Sequence, residues 1–370
     1  MKEEKFNNSG HRMRVLVSPL DWGLGHATRC IPIIKELLRL NCEVFVGADG
    51  ASKILLQKEF PQLTFLLLKG YRMQYSRKKY WLAARLLFQL PKMALSVYKE
   101  HQWLKRVIRE NAIDAVIADN RLGLYHSAVP CIYITHQLTI RTGNRFTERL
   151  AQKIHYHFIN KFQACWVPDA EGENNLAGIL SHPTRLPKIP VLYLGPLSRF
   201  EKIDVEKKYD LAIIISGPEP QRTVFEDLLL KELEDYKGSC LFVRGLPNNK
   251  TIHQFVNSSI EMHDHLSSQE LNPAILRSGM IISRSGYTTV MDLVRVQKKA
   301  ILVPTPGQTE QEYLAKFLMK KKIFSSVEQK NFSLPEAIRA AADFDFCFPE
   351  FNYMDYKKVV ENFINQLPSR

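Results

Sequence analysis

The chain has 370 residues, 45% hydrophobic and 24% charged, with a formal net charge of +13; this is an ordinary globular balance that excludes disorder and collagen-like repetition, and the length calls for two domains. No run of about 20 apolar residues is present, which excludes a spanning helix. The opening MKEEKFNNSGHRM has no apolar h-region, so a signal peptide is not expected either.

Taken in chain order, MRVLVSP reads as a strand, and Ile31, Ile34, Leu37 and Leu38 then recur on one face of a helix. CEVFVGA, a helix, LTFLLL and a long basic helical region follow, then AVIAD, CIYIT, ACWVP and VLYLG with helical stretches between. The charged stretch PLSRFEKIDVEKKYD reads as a connector between domains. The alternation restarts with DLAIIISG, a helix through Phe225 to Leu233, SCLFVRG, IEMHDHL, a helix from Ser267, MIISRSG, a helix from Thr288, and AILVPTP. Such alternation predicts an α/β protein with two Rossmann-like, doubly wound parallel sheets in series.

Six cysteines (Cys30, Cys42, Cys131, Cys165, Cys240, Cys347) sit without a CxxC pair, mostly in apolar runs. They read as buried thiols of a reducing compartment, and the cytoplasm is the expected location. Between Lys69 and Arg109 stand eleven Lys and Arg against one acid, Glu100. Trp81, Leu82, Leu86, Leu87, Phe88, Met93 and Leu95 are interleaved with these cations, so the stretch can lie on an anionic membrane surface at about 1 kcal/mol per cation. The alternative is a core-packed helix with a solvated basic face. Pro91 is expected to break the region into two helices. Nucleic acid is not the expected partner, because no recognition module is readable.

In doubly wound sheets ligands bind beyond the carboxyl ends of strands, and four of the loops there stand out: SPLDWGLGHATR, ISGPEPQRT, ISRSGYTT and PTPGQTEQ. In the first, Gly23 and Gly25 surround His26 at the start of a helix, whose dipole favours a neutral imidazole able to accept a proton; the bland reading is a capping residue. GxGxxG is absent, which argues against a nicotinamide or flavin. In ISRSGYTT, Ser285 and Gly286 open a helix whose free N–H groups suit a phosphate, Thr288 and Thr289 offer hydroxyls, and Asp292 is an acceptor for a ribose; Ser285 as a plain N-cap is the alternative. Gln308, Glu310 and Gln311 could read sugar hydroxyls or form a capping box around Thr309. Arg222 could pair with a diphosphate or sit exposed. Asp119, Asn120, Arg121, His136 and Gln137 follow later strands of the first unit, so Asp119 or His136 is an alternative base or acceptor contact, or simply a strand end. His263 and His265 on one strand face form a conceivable metal pair, but no third ligand is evident and they are assigned to structure.

The glycine loop with its histidine, SRSGYTTVMD and PTPGQTEQ, in that order, resemble the GT-B glycosyltransferases, and within them the MurG-like members of glycosyltransferase family 28. The resemblance covers nearly the whole chain in layout and about 40 residues in motif. It implies an acceptor-binding domain over residues 1–198, a nucleotide-sugar-binding domain over 199–345, and a C-terminal helix in 346–370 that returns toward the first domain. It further implies His26 as base or phosphate contact, Arg222, Ser285 and Gly286 near the diphosphate, Asp292 at the ribose, where the family commonly has Glu, Gln311 near the sugar and Leu266 near the base. Position and residue type add Asp119 as second catalytic candidate, Gly23, Gly25, Asn120, His136 and Gln137 on the acceptor side, Thr288 near the diphosphate and Gln308 near the sugar. The implied reaction is inverting transfer from a UDP-sugar to a hydroxyl of a membrane-borne or glycan acceptor, with no metal and no cofactor. GxGHxxR, Gly23 through Arg29, also resembles the UDP-sugar hydrolases of the pseudaminic acid pathway. A non-catalytic nucleotide-sugar-binding protein is the remaining alternative.

Overall fold

The computed structural model describes residues 12–71, 82–246 and 259–368, and of residues 82–90 the backbone alone. Arg72, Arg77, Lys78, Lys79 and Trp81 of the basic segment lie outside the described residues, as do the side chains of Leu82, Arg85, Leu86, Leu87 and Phe88.

The apolar runs become strands; those inside each sheet are buried along nearly their whole length, as parallel strands covered by helices must be, while TFLL (Thr64–Leu67), VLY (Val191–Tyr193) and IEMH (Ile260–His263) at the sheet edges are not. β1 (Arg14–Pro19), β2 (Glu43–Ala48), β3 (Thr64–Leu67), β4 (Ala115–Asp119), β5 (Cys131–Ile134), β6 (Ala164–Val167) and β7 (Val191–Tyr193) form one sheet in the order 3-2-1-4-5-6-7. β8 (Tyr209–Ile214), β9 (Cys240–Val243), β10 (Ile260–His263), β11 (Ser278–Ser283), β12 (Ala300–Leu302) and the two-residue β13 (Ser325–Ser326) form the other, in the order 10-9-8-11-12-13. Every pairing is parallel. Strand order therefore reverses between β1 and β4 in the first sheet and between β8 and β11 in the second, and the crevice at such a switch point is open to a ligand.

Most of the expected helices are present, but none joins β4 to β5, and only a 3-10 turn, Gly178–Leu180, lies between β6 and β7. α1 (Leu24–Arg39) buries Ile31, Ile33, Ile34 and Leu37, and α2 (Gly50–Glu59) follows β2. α6 (Ser268–Leu276) starts at a capping box, in which Ser267 accepts from the Glu270 amide and the Glu270 carboxylate answers the Ser267 amide. α4 (Arg145–Ile159), α5 (Gln221–Leu233), α7 (Tyr287–Arg295), α8 (Thr309–Lys320) and α9 (Leu334–Ala342) complete the crossovers. α10 (Asp355–Asn365) packs on α1, and its Phe363 ring meets Trp166 edge-on at 5.5 Å. Five cysteines are buried and Cys347 is exposed. Among the described residues no helix is long and apolar enough to cross a membrane.

The expected break at Pro91 does not occur: α3 (Leu82–Asn111) is one helix of 30 residues with Pro91 inside it. Pro91 is exposed, so its ring displaces no packing, and burial of Leu104, Val107 and Ile108 against the sheet, with Val97 against Leu20 and Tyr71, outweighs the lost backbone bond. The lone acid of the basic segment, Glu100, is only 3% exposed. It accepts from Arg121 Nη1 at 2.9 Å, the Tyr71 hydroxyl at 2.7 Å and the Gly123 amide at 3.0 Å, which ties α3 to the loops after β3 and β4. Arg121 thus serves this anchor and is not an acceptor contact. Removing Glu100 leaves the fully buried Arg121 without a counter-charge. Glu100→Ala is expected to cost about 3–5 kcal/mol in urea denaturation, and a loss below about 1 kcal/mol would contradict the anchor.

Candidate active site

The loops at the two switch points face each other around a cavity of about 600 Å³ lined from both sheets. The lobes are in direct contact across it. Thr288 Oγ1 donates to the Gly25 carbonyl at 3.0 Å, Thr309 Oγ1 to the Arg141 carbonyl at 2.7 Å, and the Tyr287 hydroxyl to the Pro168 carbonyl at 2.9 Å. A Cβ at Gly25 would stand 3.1 Å from Thr288 Oγ1, so glycine eases this approach. Gly23, the residue before α1, holds φ +75°, which lets β1 turn sharply into the helix.

The turn places His26 and Arg29 one helical step apart on the same face, over the end of β4. Register pairs Pro19 with Asp119, so Asp119 emerges directly under α1. Asp119 is fully buried. Its Oδ1 lies 2.6 Å from His26 Nδ1, and Arg29 grips both oxygens through Nε and Nη2. Burial alone would raise the Asp119 pKa; Arg29 and His26 outweigh it and hold the carboxyl at about 2. Arg29 Nη2 also stands 2.9 Å from His26 Nδ1. The carboxylate is nearer and ionised, so the proton sits on Nδ1 and points to Asp119. In the neutral ring Nε2 is then the acceptor nitrogen, on a side chain that lines the cavity and is 16% exposed.

Arg29 extends the network. Its Nη1 donates to His136 Nδ1 at 3.0 Å, and His136 Nε2 donates to Glu310 Oε1 at 2.7 Å, on the other lobe. Burial lowers the His136 pKa, which keeps the ring neutral, and the ring stacks on Tyr287 at 4.3 Å. Both His136 nitrogens and both Asp119 oxygens are engaged, so neither is free to act as the base; this corrects the alternative drawn from their loops. Asn120 lines the cavity with φ +53° and accepts from the Tyr133 hydroxyl at 3.1 Å; Gln137 lines it nearby.

On the second lobe Gly286, the N-cap of α7, lines the cavity together with Thr288, Thr289, Leu266, Gln308 and Gln311. Asp292 lines it as well, held by Ser198 Oγ at 2.7 Å and facing Arg199 at 3.5 Å; burial raises its pKa. Three expectations are corrected. Ser285 is fully buried and its hydroxyl donates to the Gln311 carbonyl at 2.9 Å, so it pins the next loop and offers nothing to a phosphate. Arg222 does not line the cavity: Glu219 at 2.5 Å, Glu226 and Thr223 take its guanidinium. The Gln311 side chain accepts from the Thr305 amide at 2.9 Å and donates to Gln308 at 2.7 Å, so it shapes its own loop. His263 ends β10 and bonds Glu261 at 2.9 Å, while His265 lies past the strand and lines the cavity, so the two never share a strand face.

Arg29 and Glu310 are the participants to which sequence reasoning gave no such role. The spacing of Arg29 three residues after His26 was the available signal. For Glu310 there was none, because its partner lies 174 positions away.

Two parallel α/β lobes closing on a cavity at paired switch points make this a GT-B fold. Residues 241–366 match the glycosyltransferase family 28 C-terminal domain. The chain is 24% identical over 334 residues to an uncharacterized glycosyltransferase of Methanosarcina acetivorans, covering 81% of this chain and 82% of that protein. It is 23% identical over 365 residues to UDP-N-acetylglucosamine--N-acetylmuramyl-(pentapeptide) pyrophosphoryl-undecaprenol N-acetylglucosamine transferase 2 of Bacillus thuringiensis (strain Al Hakam), covering 88% and 89%. Among solved structures it superposes on the kitacinnamycin glycosyltransferase with a TM-score of 0.62 at 10% identity over 97% of this chain and 100% of that one. It superposes on Acinetobacter baumannii MurG with a TM-score of 0.50 at 11% identity over 96% of each. Residues 241–366 thus carry a glycosyltransferase family 28 C-terminal domain, and the chain as a whole is similar to MurG-like glycosyltransferases and has the GT-B fold.

Asp119 ties this site to stability. Its pKa is depressed from 3.8 to about 2, so its contribution is fully present above pH ~4 and is lost as pH falls toward 2. That contribution is worth roughly 2–3 kcal/mol. Urea midpoints taken between pH 5 and 2.5 should fall less steeply in Asp119→Asn than in the wild type; parallel slopes would show that the carboxylate is not held in this way.

Proposed function

We propose that the protein transfers a sugar from a nucleotide-sugar donor, UDP-linked, to a hydroxyl on a membrane-borne acceptor, with inversion and without a metal. The observation that carries the reading is the His26 imidazole, held at Nδ1 by Asp119 and lining the same cavity as Gly286, the N-cap of α7. In the proposed reaction the acceptor hydroxyl gives its proton to Nε2 as its oxygen bonds to the anomeric carbon. The bond from that carbon to the diphosphate oxygen breaks on the opposite face, and the electron pair leaves with the diphosphate. Amide donors at Gly286 stabilise the departing charge. Asp292 stands as the ribose acceptor, one methylene shorter than the Glu common in the family.

The membrane part of the reading is supported by α4 as well as by α3. Phe146, Leu150 and Ile154 repeat every four residues along α4 and are 76%, 44% and 39% exposed, with Arg145, Arg149 and Lys153 exposed beside them. On α3, Leu95 and Tyr98 are exposed beside Lys99. An outward face that mixes apolar groups with cations suits an anionic bilayer surface, on the cytoplasmic side in this proposal.

His26→Ala is expected to lower turnover about 10²–10⁴-fold while leaving UDP-sugar affinity within about twofold; unchanged turnover would remove His26 as the base. UDP release from UDP-sugars alone separates transfer from hydrolysis: release that requires added membrane lipid supports transfer, and equal release without acceptor supports the hydrolase suggested by GxGHxxR. In flotation with vesicles containing phosphatidylglycerol, the triple variant F146S/L150S/I154S is expected to lose most of the bound fraction. Binding equal to that of the wild type would clear α4 of this role.

A further inference from the structure

Arg284 is the member of SRSGYTT that the proposed chemistry leaves unused. Its guanidinium is 1% exposed, yet no carboxylate is among its bonding partners. Nη1 donates to the carbonyls of Val303 at 3.2 Å and Pro304 at 3.3 Å, Nη2 donates to the carbonyl of Gln221 at 3.1 Å, and Cζ lies 3.9 Å from the centre of the Phe225 ring. Burial brings its pKa down to about 9, which still leaves it cationic at neutral pH. The other described arginines near this edge differ. Arg222 is matched by Glu219 and Glu226, Arg244 by Glu226 and Asp264, and Arg199 faces Asp292. A cation held only by carbonyl dipoles keeps a field that an ion pair would cancel.

The position of that field is informative. Gln221 follows Ser216, Gly217 and Pro218; Val303 and Pro304 precede Gly307 and Gln308; Arg284 itself stands two residues before Gly286. All three loops line the cavity, whereas Arg284 does not. The charge therefore sits behind the junction of the loops, with its donors turned onto backbone, where it can act on a ligand without touching it.

We infer that Arg284 is the fixed counter-charge for a diphosphate bound at this junction, a positioning residue that sets the preference for a nucleoside diphosphate over the bare nucleoside. The inference rests on the nucleotide-sugar reading above. It adds a buried group that selects charge, distinct from the amides that would contact the ligand.

Isothermal titration of UDP and of uridine against the wild type, R284K and R284M tests it, with melting curves taken alongside. The UDP-to-uridine affinity ratio is expected to fall about tenfold or more in R284M and to recover in large part in R284K, which keeps the charge. If both affinities fall by one factor in R284M, or if the ratio is unchanged, Arg284 only braces the loops and the inference is overturned. Should R284M not fold, R284Q supplies the same comparison. A wild type that binds none of UDP, GDP, ADP, CDP or dTDP defeats the nucleotide-sugar reading itself, an outcome distinct from a wild type that prefers UDP and variants that keep the preference.

Discussion

A carboxylate without contact to water stands where the first sheet reverses its strand order, and the first lobe's reactive end is arranged to keep it ionised. A buried, unpaired Asp119 would take up a proton; the Arg29 fork and the His26 N–H prevent it. That requirement reaches back to local structure. Residues 26 and 29 must leave the helix on one face directly above the end of β4, so the chain has to turn from β1 into α1 within a few residues. The positive φ at Gly23 makes this turn possible. The same pairing fixes the imidazole tautomer, so the chemistry assigned to Nε2 follows from an electrostatic need on the opposite side of the ring.

The network does not stop at the lobe boundary. Through Arg29 and His136 it ends on Glu310, and beside it Thr288 bonds the Gly25 carbonyl. The glycine whose missing Cβ permits this contact is one residue from the histidine. Approach of the second lobe and placement of the imidazole therefore depend on the same few residues. A shift of the second lobe away from the first would remove the Glu310 partner of His136, on α8, and the Thr288 bond to the Gly25 carbonyl, on α7, together.

Much of this was legible in the sequence, and the misses share a cause. Strand runs, the helix start at Ser267 and the importance of the loops after β1, β4, β11 and β12 follow from local pattern, because periodicity and capping are short-range properties. Pairings between distant residues are not. The residue types of Arg222 and Ser285 suit phosphate, but the partners that occupy them, Glu219, Glu226 and the Gln311 carbonyl, come together only once the chain is folded. Pro91 misled in the opposite sense: its local rule is sound, and burial of the later half of α3 overrides it. Glu100 stands in the sequence as a lone acid among cations, and among the described residues of that segment it is the one charge turned inward.

The two lobes handle buried charge in opposite ways, and this suggests how the proposed substrates divide between them. In the first, Asp119 is matched by Arg29 and Glu100 by Arg121, while the buried Asp169 is held by backbone amides and the Ser181 hydroxyl. No described buried cation of that lobe near the cavity is left without an acid, which suits a neutral hydroxyl acceptor better than an anion. In the second, Arg222 and Arg244 are cancelled by acids while Arg284 is left to carbonyls, so the interior behind Gly286 stays positive. An anionic leaving group gains from that field and a hydroxyl does not. A nucleotide sugar lying across the cavity would thus be oriented with its diphosphate toward α7 and its anomeric carbon toward His26 before any sugar hydroxyl is read, and recognition of the particular sugar is left to the loop around Gln308.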